Sequence, residues 1–249
     1  MSAPHELAMD MLASFREQRG GAAATALAER RVPDPAAIGP TVTVDPYSHR
    51  TVPHDLLTTL ENRRSLRGFS QEPLPAGLLA GIMSRALELD ERSADGTAYA
   101  DGADGADGTD GADCPLELTV VAHRLTGVTP AVHRFDAAAS SFTPVMELPT
   151  GAARYGLTLQ PEFSDAAAII SIGVPLDAAV HRHGGHGYRL LLTRAGSVAY
   201  AMWLDGVAHG LVGSVFAGFI PASVRGPLLS DGTSRQQIFA LALGLPPAP

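Results

Sequence analysis

Arg63, Ser65 and Arg67 alternate as R-x-S-x-R within the stretch RRSLRGFS, residues 63–70. In an extended or turning segment the three side chains point one way. Two guanidiniums and a hydroxyl then share one side, a donor set that grips a phosphate or the polar edge of a flat ring, because a guanidinium offers parallel N–H groups to oxygen acceptors. Spacing alone leaves a plain solvated basic turn open as the other reading. A second grouping is His181, His183 and His186, set as H-x-H-x-x-H among glycines. Imidazole binds metals and moves protons near neutral pH. Three readings stay open for it: a metal ligand set, a catalytic or substrate contact by His183, and a solvated loop. No carboxylate neighbours the cluster, and no metal site is expected.

Other templates fail. There is no G-x-x-x-x-G-K-[ST] phosphate loop and no G-x-S-x-G nucleophile elbow. GGHG at residues 184–187 lacks dinucleotide-fingerprint spacing and does not sit in a βαβ unit. Residues 93–113 repeat ADG and TDG triplets. They read as a low-complexity flexible loop, since such a composition buries too little apolar surface to offset its ordering entropy. The repeat lacks the bidentate Glu of a calcium loop.

The elements that must position these groups can be read from periodicity. Tyr188 to Leu211 reads as one long helix without proline, with Arg194 and Asp205 as its only interior charges. Apolar or small residues on every face predict burial on most sides. Gly196, Ala199, Gly206 and Gly210 share a face, which predicts close approach by another backbone or a flat ligand. Further helices are expected over 6–19, 22–31, 56–62 and 76–89. Strands are expected over 116–124, 132–136, 142–148, 166–174 and 237–244, and TVTV at 41–44 is a short strand candidate. The His-rich residues 181–187 read as a loop. The sum is α+β, a mixed, mainly antiparallel sheet flanked by helices. Residues 1–54 form an N-terminal helical and extended arm, and 55–249 the main domain.

The chain has 249 residues, 45% of them hydrophobic, a formal net charge of −8 and one cysteine. That suffices for a substantial core, excludes an internal disulfide framework, and argues against nucleic acid as a partner. Asp205, His209 and several small residues interrupt the long apolar helix, so a membrane span is not expected. No signal peptide is evident, and a cytoplasmic location is expected.

The segment ENRRSLRGFSQEPLPAGLLAGIM resembles the N-terminal flavin-binding signature of the nitroreductase superfamily. LELTVVAHRLTGVTPAVHRFD, GYRLLLTRAGSVAYAMWLDGVAHGLVGSVFAGF and IFALALGLP follow in order. They resemble successive segments of its SagB-type, or McbC-like, azoline dehydrogenases. The resemblance covers roughly residues 55–247 and implies a nitroreductase-like fold and an FMN-containing homodimer, with the long helix near the dimer core. It implies FMN contacts from Arg63, Arg64, Ser65 and Arg67, from Gly213 and Ser214 in the segment passing the ring, and from Arg235 as a late basic ligand of the phosphate. It implies that a thiazoline or oxazoline of a ribosomally made peptide loses a proton and a hydride to give thiazole or oxazole. The hydride goes to flavin and oxygen reoxidises it. A cyclodehydratase complex is the implied partner, and Tyr188 and Arg189 are implied substrate contacts.

The chain departs from that pattern where a Lys-Tyr pair serves proton abstraction: Arg182-His183 stands there. Arg stays protonated and is a poor base, whereas His183 can take the proton. Arg194, Ser197 and Tyr200 also replace the Glu, His and Gln frequent in the family. Two alternatives therefore stand beside the azoline dehydrogenase: an NAD(P)H-dependent nitro or quinone reductase, and a degenerate, non-catalytic subunit of a peptide-modifying complex.

Overall fold

Residues 168–174 have no polar side chain but Ser171, and every one is buried. Such a run suits a strand covered on both faces, and it forms the middle of the molecule. The computed structural model describes residues 33–46, 54–96, 114–158, 160–183, 185–219, 221–232 and 234–248, without the side chains of 93–96, 181–183 and 221–222. The helices expected over 6–19 and 22–31, and most of the Asp-Gly stretch, lie outside the described residues.

The strands are β1 (Val42–Thr43), β2 (Leu74–Pro75), β3 (Glu117–Ala122), β4 (Leu125–Thr126), β5 (Ala131–Asp136), β6 (Ser141–Met146), β7 (Ala168–Val174), β8 (Val212–Phe216) and β9 (Gln236–Gly244). Seven of them form one antiparallel sheet in the order β1-β6-β5-β3-β7-β9-β8. β2 and β4 pair in parallel beside it. The segment assigned to the N-terminal arm thus contributes an edge strand to the main sheet.

Successive strand residues point to opposite faces, and the core divides accordingly. Val120, Ile170, Leu241 and Leu243 pack under the long helices. Val121, Ile169, Ala240 and Ala242 pack on the other face with Phe163, Phe216 and Leu157.

The helices are α1 (Leu56–Asn62), α2 (Ala76–Gly96), α3 (Leu176–His183), α4 (Gly185–Ala208) and the short α5 (Pro221–Val224). Asp55 caps α1, its carboxylate accepting from the Thr58 N–H at 3.1 Å and the Thr58 hydroxyl at 2.6 Å. The Thr58 hydroxyl bond, then its N–H, holds the Asp55 carboxyl below the usual range.

Three expectations change. The His-rich stretch is not a loop: α3 runs through His183, and α4 begins at Gly185. The two helices meet so closely that a Cβ on Gly187 would run into the Ala179 carbonyl. Part of the small-residue face of α4 meets side chains of the sheet: a Cβ on Gly206 would lie 3.1 Å from Leu243 and one on Gly196 3.8 Å from Phe239, while Gly210 lies past the helix end with open space beside it. And α4 is not covered all round. Arg189, Leu190, Thr193, Ser197 and Tyr200 form an exposed stripe along it.

Arg194 is mostly buried against α2. Its guanidinium donates to both carboxylate oxygens of Asp90, at 2.7 and 3.1 Å, and to the Cys114 carbonyl at 3.0 Å. The pair ties α2, α4 and the chain that enters β3 to one point.

Candidate functional site

The residue after α1, Arg63, is extended (φ −63°, ψ 110°), and the chain leaves the helix as a strand-like segment. Ser65 forms a parallel bridge with Gly213, and the Leu66 N–H donates to the Gly213 carbonyl at 3.1 Å. The R-x-S-x-R segment therefore lies against β8, the sheet edge. Further on, Ser70 N–H donates to Leu245 O at 2.9 Å, which fixes the end of the segment beside β9. Gly213 is required by close approach: its neighbour across the ladder leaves no room, and a Cβ would run into the Ala242 carbonyl oxygen.

Arg63 and Arg67 flank exposed Ser65 and end on aromatic rings. The Arg63 guanidinium lies 4.8 Å from the Trp203 ring and 5.9 Å from the Tyr200 ring, a cation–π shelf on α4. The indole Nε1 of Trp203 is buried with no hydrogen-bond partner among the described residues. Arg67 lies 5.7 Å from the Phe163 ring, which stacks on Phe216 at 4.2 Å and 20°. Its Nη1 donates to Glu162 Oε1 at 2.8 Å. Arg64 is exposed.

Glu162 and Phe163 sit on a 3-10 turn, Pro161–Asp165. Arg124 Nη2 donates to the Asp165 carbonyl at 2.7 Å and to the Ser70 carbonyl at 2.9 Å, tying that turn to the R-x-S-x-R segment. Arg154 adds a 2.7 Å bond to the Asp165 carboxylate. His123, at the end of β3, is packed among these groups. Burial first, then the Arg124 and Arg154 charges, push its pKa down to about 4, while Asp165 opposes the shift. It is neutral at neutral pH.

The remaining expected residues do not all gather here. Ser214 is beside the segment, but its side chain is buried and its hydroxyl donates to the Val215 carbonyl at 3.2 Å. Arg235 lies at the far end of β9: Gly213 pairs with Leu243, whereas Arg235 precedes Gln236. Its guanidinium is buried, pairs with Glu117 through both donors, and bonds the Leu228 carbonyl at 3.3 Å and the Pro33 carbonyl at 3.2 Å. Arg235 thus stands in a structural ion pair away from the R-x-S-x-R segment. Tyr188 and Arg189 belong to the first turns of α4, and Arg189 Nη2 lies 3.1 Å from His186 Nδ1. Arg182 and His183 end α3, and their side chains lie outside the described residues. About 20 Å of helix separates Tyr188 from Trp203, at roughly 1.5 Å per residue. Within one chain, then, the cofactor candidates and the catalytic candidates stand at opposite ends of α4.

The donor set beside β8 fits a ligand with an anionic group and a flat polar ring. Guanidiniums and a hydroxyl line an exposed edge, aromatic surfaces flank them, and Gly213 lets two backbones meet. Three partners were not legible as site residues: Trp203, Glu162 and Phe163. Phe163 and Glu162 carry no periodic or motif signal and reach Arg67 only through the tertiary fold. Among the described residues there is no group of three or more His, Cys, Asp or Glu placed to hold a metal. Likewise, no described helix is long and apolar enough to cross a membrane.

Compared by sequence, the chain matches no protein-family model and no curated protein. Compared by structure, it is similar to a nitroreductase from Anabaena variabilis, with TM-score 0.61 and 20% identity over 83% of this chain. This chain spans 41% of that protein's length. A nitroreductase from Ralstonia eutropha matches with TM-score 0.57 and 18% identity, covering 89% of this chain and 97% of that one. The E. coli microcin synthetase McbBCD complex with truncated pro-MccB17 bound matches with TM-score 0.53 and 15% identity, covering 98% and 94%. The fold is nitroreductase-like.

Proposed function

We propose that the chain is an FMN-dependent oxidoreductase that acts as a homodimer on a thiazoline or oxazoline ring of a ribosomally made peptide. The observation that carries this reading is the placement of Arg63, Ser65 and Arg67 along the β8 edge, against Gly213. A phosphate-bearing flat cofactor is what that donor set suits. Arg63, Arg64, Ser65 and Arg67 would hold it, and the Ser65 bridge and the Leu66 N–H bond to the Gly213 carbonyl keep the segment on the sheet edge. When bound, FMN supplies a hydride acceptor. The chain's own part is to bind, to orient and to take the proton. His183 is the expected proton acceptor, because its neighbour Arg182 stays charged.

The geometry of α4 supports a second copy. Its exposed stripe carries Leu190, Thr193, Ser197 and Tyr200, and Leu56, Leu57 and Leu60 of α1, which packs on α4, are exposed as well. A two-fold axis across that stripe would run two copies of α4 antiparallel. The Arg182-His183 end of one copy would then approach the Arg63 end of the other. That removes the roughly 20 Å separation within a single chain. The peptide substrate and a cyclodehydratase partner rest on the ordered sequence segments, and the fold shared with a component of the microcin synthetase complex supports them.

The two structures described as nitroreductases favour a second reading, an NAD(P)H-dependent reductase of nitro compounds or quinones, which would use the same clamp. One measurement tests both. The purified protein is expected to be a yellow dimer whose flavin absorbance is released on denaturation. Slow bleaching by NAD(P)H, with conversion of an azoline-containing peptide, supports the dehydrogenase. Rapid bleaching supports the reductase. A colourless monomer that takes up no added flavin sinks both.

A further inference from the structure

Arg67 differs from Arg63 in what it already holds. Arg63 rests on two rings, while Arg67 rests on a ring and also donates to the Glu162 carboxylate at 2.8 Å. We propose that Glu162 is a specificity-setting residue of the clamp, an internal anion that occupies Arg67 until a ligand oxyanion displaces it. This rests on the flavin reading above and deepens it.

The pair is built to be displaced. Its side chains are 55% and 36% exposed, and one guanidinium nitrogen meets one carboxylate oxygen. Such exposed pairs contribute little, because water screens them and two long side chains must be held in one geometry. A phosphate carries more charge and three acceptor oxygens, and so outcompetes the single contact. Arg67 does not lose its place when the pair opens, since the Phe163 ring beneath it is stacked on Phe216. Nor does Glu162 leave. It follows Pro161 on a short turn that Arg124 and Arg154 pin through Asp165. The carboxylate therefore stays beside the clamp and opposes any anion bound there. A ligand without phosphate feels neither the displacement nor the repulsion. Glu162 thus narrows the margin by which the chain prefers FMN to riboflavin.

The test is calorimetric titration of the full-length chain, freed of bound flavin, with FMN and with riboflavin. Glu162→Gln should bind FMN about two- to fivefold more tightly, the span expected for removing one exposed pair. Riboflavin affinity should stay unchanged, and Glu162→Asp should behave as the parent. In an Arg67→Ala background the Gln substitution should tighten FMN binding less than in the parent, because the repulsion remains and the displacement is gone; the difference isolates the pair. Unchanged or weaker FMN binding by Glu162→Gln overturns the proposal. So does equal tightening of both ligands. Where the parent binds FMN and the variant matches it, only the role of Glu162 falls. Where the parent binds no flavin at all, the flavin reading falls with it.

Discussion

Ser65 bridges Gly213 in parallel, and the adjoining Leu66 N–H bonds the Gly213 carbonyl at 3.1 Å. The candidate clamp is thereby an extra strand laid on the edge of β8. Gly213 has no side chain on the side where the Ala242 carbonyl lies, which lets β8, and the clamp segment it carries, sit close against β9.

Gly213→Ala should therefore disturb both the sheet and the clamp. The new methyl group has backbone, not a flexible side chain, in its way, so β8 must shift. Overpacking of this kind costs about 1–3 kcal/mol. Urea unfolding should show that loss, and flavin retention should fall with it. A variant as stable and as yellow as the parent would mean that the contact does not position the clamp.

The cofactor assignment predicts a division of effect among the basic residues. Arg63→Ala and Arg67→Ala should each weaken FMN binding about 10- to 100-fold, as charge-assisted hydrogen bonds contribute roughly 1.5–3 kcal/mol. The pair of substitutions together should give colourless protein. Arg235→Ala should instead act on stability, leaving Glu117 without its bidentate partner. Trp203 is the one tryptophan in the chain and lies against Arg63. Its emission should fall on FMN addition, and that quenching gives the affinities directly. Full colour in the Arg63→Ala, Arg67→Ala double variant would remove the clamp.

Much of this arrangement was legible in the sequence. The apolar run of β7 and the β9 stretch are continuous or alternating patterns that a buried strand must show, and α1 occupies the expected residues. Gly213 and Ser214 were expected to pass near a flavin ring; the structure shows Gly213 next to Ser65, a neighbour the sequence did not indicate. The failures have physical reasons. HRHGGHG reads as a loop because glycine disfavours helix by about 1 kcal/mol. The close α3–α4 approach at Gly187 overrides that preference. Arg235 was read as a late phosphate ligand because its ion-pair partner, Glu117, is far away in the chain. Glu162 and Phe163 belong to a stretch with no period at all, and only the fold brings them under Arg67.

Arg194 gives a stability prediction. It stands buried in a bidentate pair with Asp90, the side chains only 11% and 6% exposed. Arg194→Leu leaves the Asp90 carboxylate buried and uncompensated, and should cost about 3–5 kcal/mol. Adding Asp90→Leu should recover much of the loss, since an apolar pair of similar volume is often neutral. Chemical denaturation of the two variants decides it. A single variant as stable as the parent would show that the pair is not desolvated in solution.

His123 should make the fold acid-sensitive in a defined window. Burial, reinforced by Arg124 and Arg154, lowers its pKa from 6.5 to about 4. Below pH 6.5 the unfolded chain takes up a proton that the folded chain refuses until about pH 4. Stability is therefore full above pH 6.5 and declines as pH falls from there to about 4, by roughly 1.4 kcal/mol per pH unit and about 3 kcal/mol in all. His133, pushed down by burial although its Nε2 bond to the Thr129 carbonyl opposes the shift, adds to the slope with the same sign. His123→Gln cannot titrate and should flatten part of the decline between pH 6.5 and 4. Urea midpoints taken across that range should show a shallower slope than in the parent. Parallel slopes in the two proteins would show that His123 is not buried among these arginines in solution.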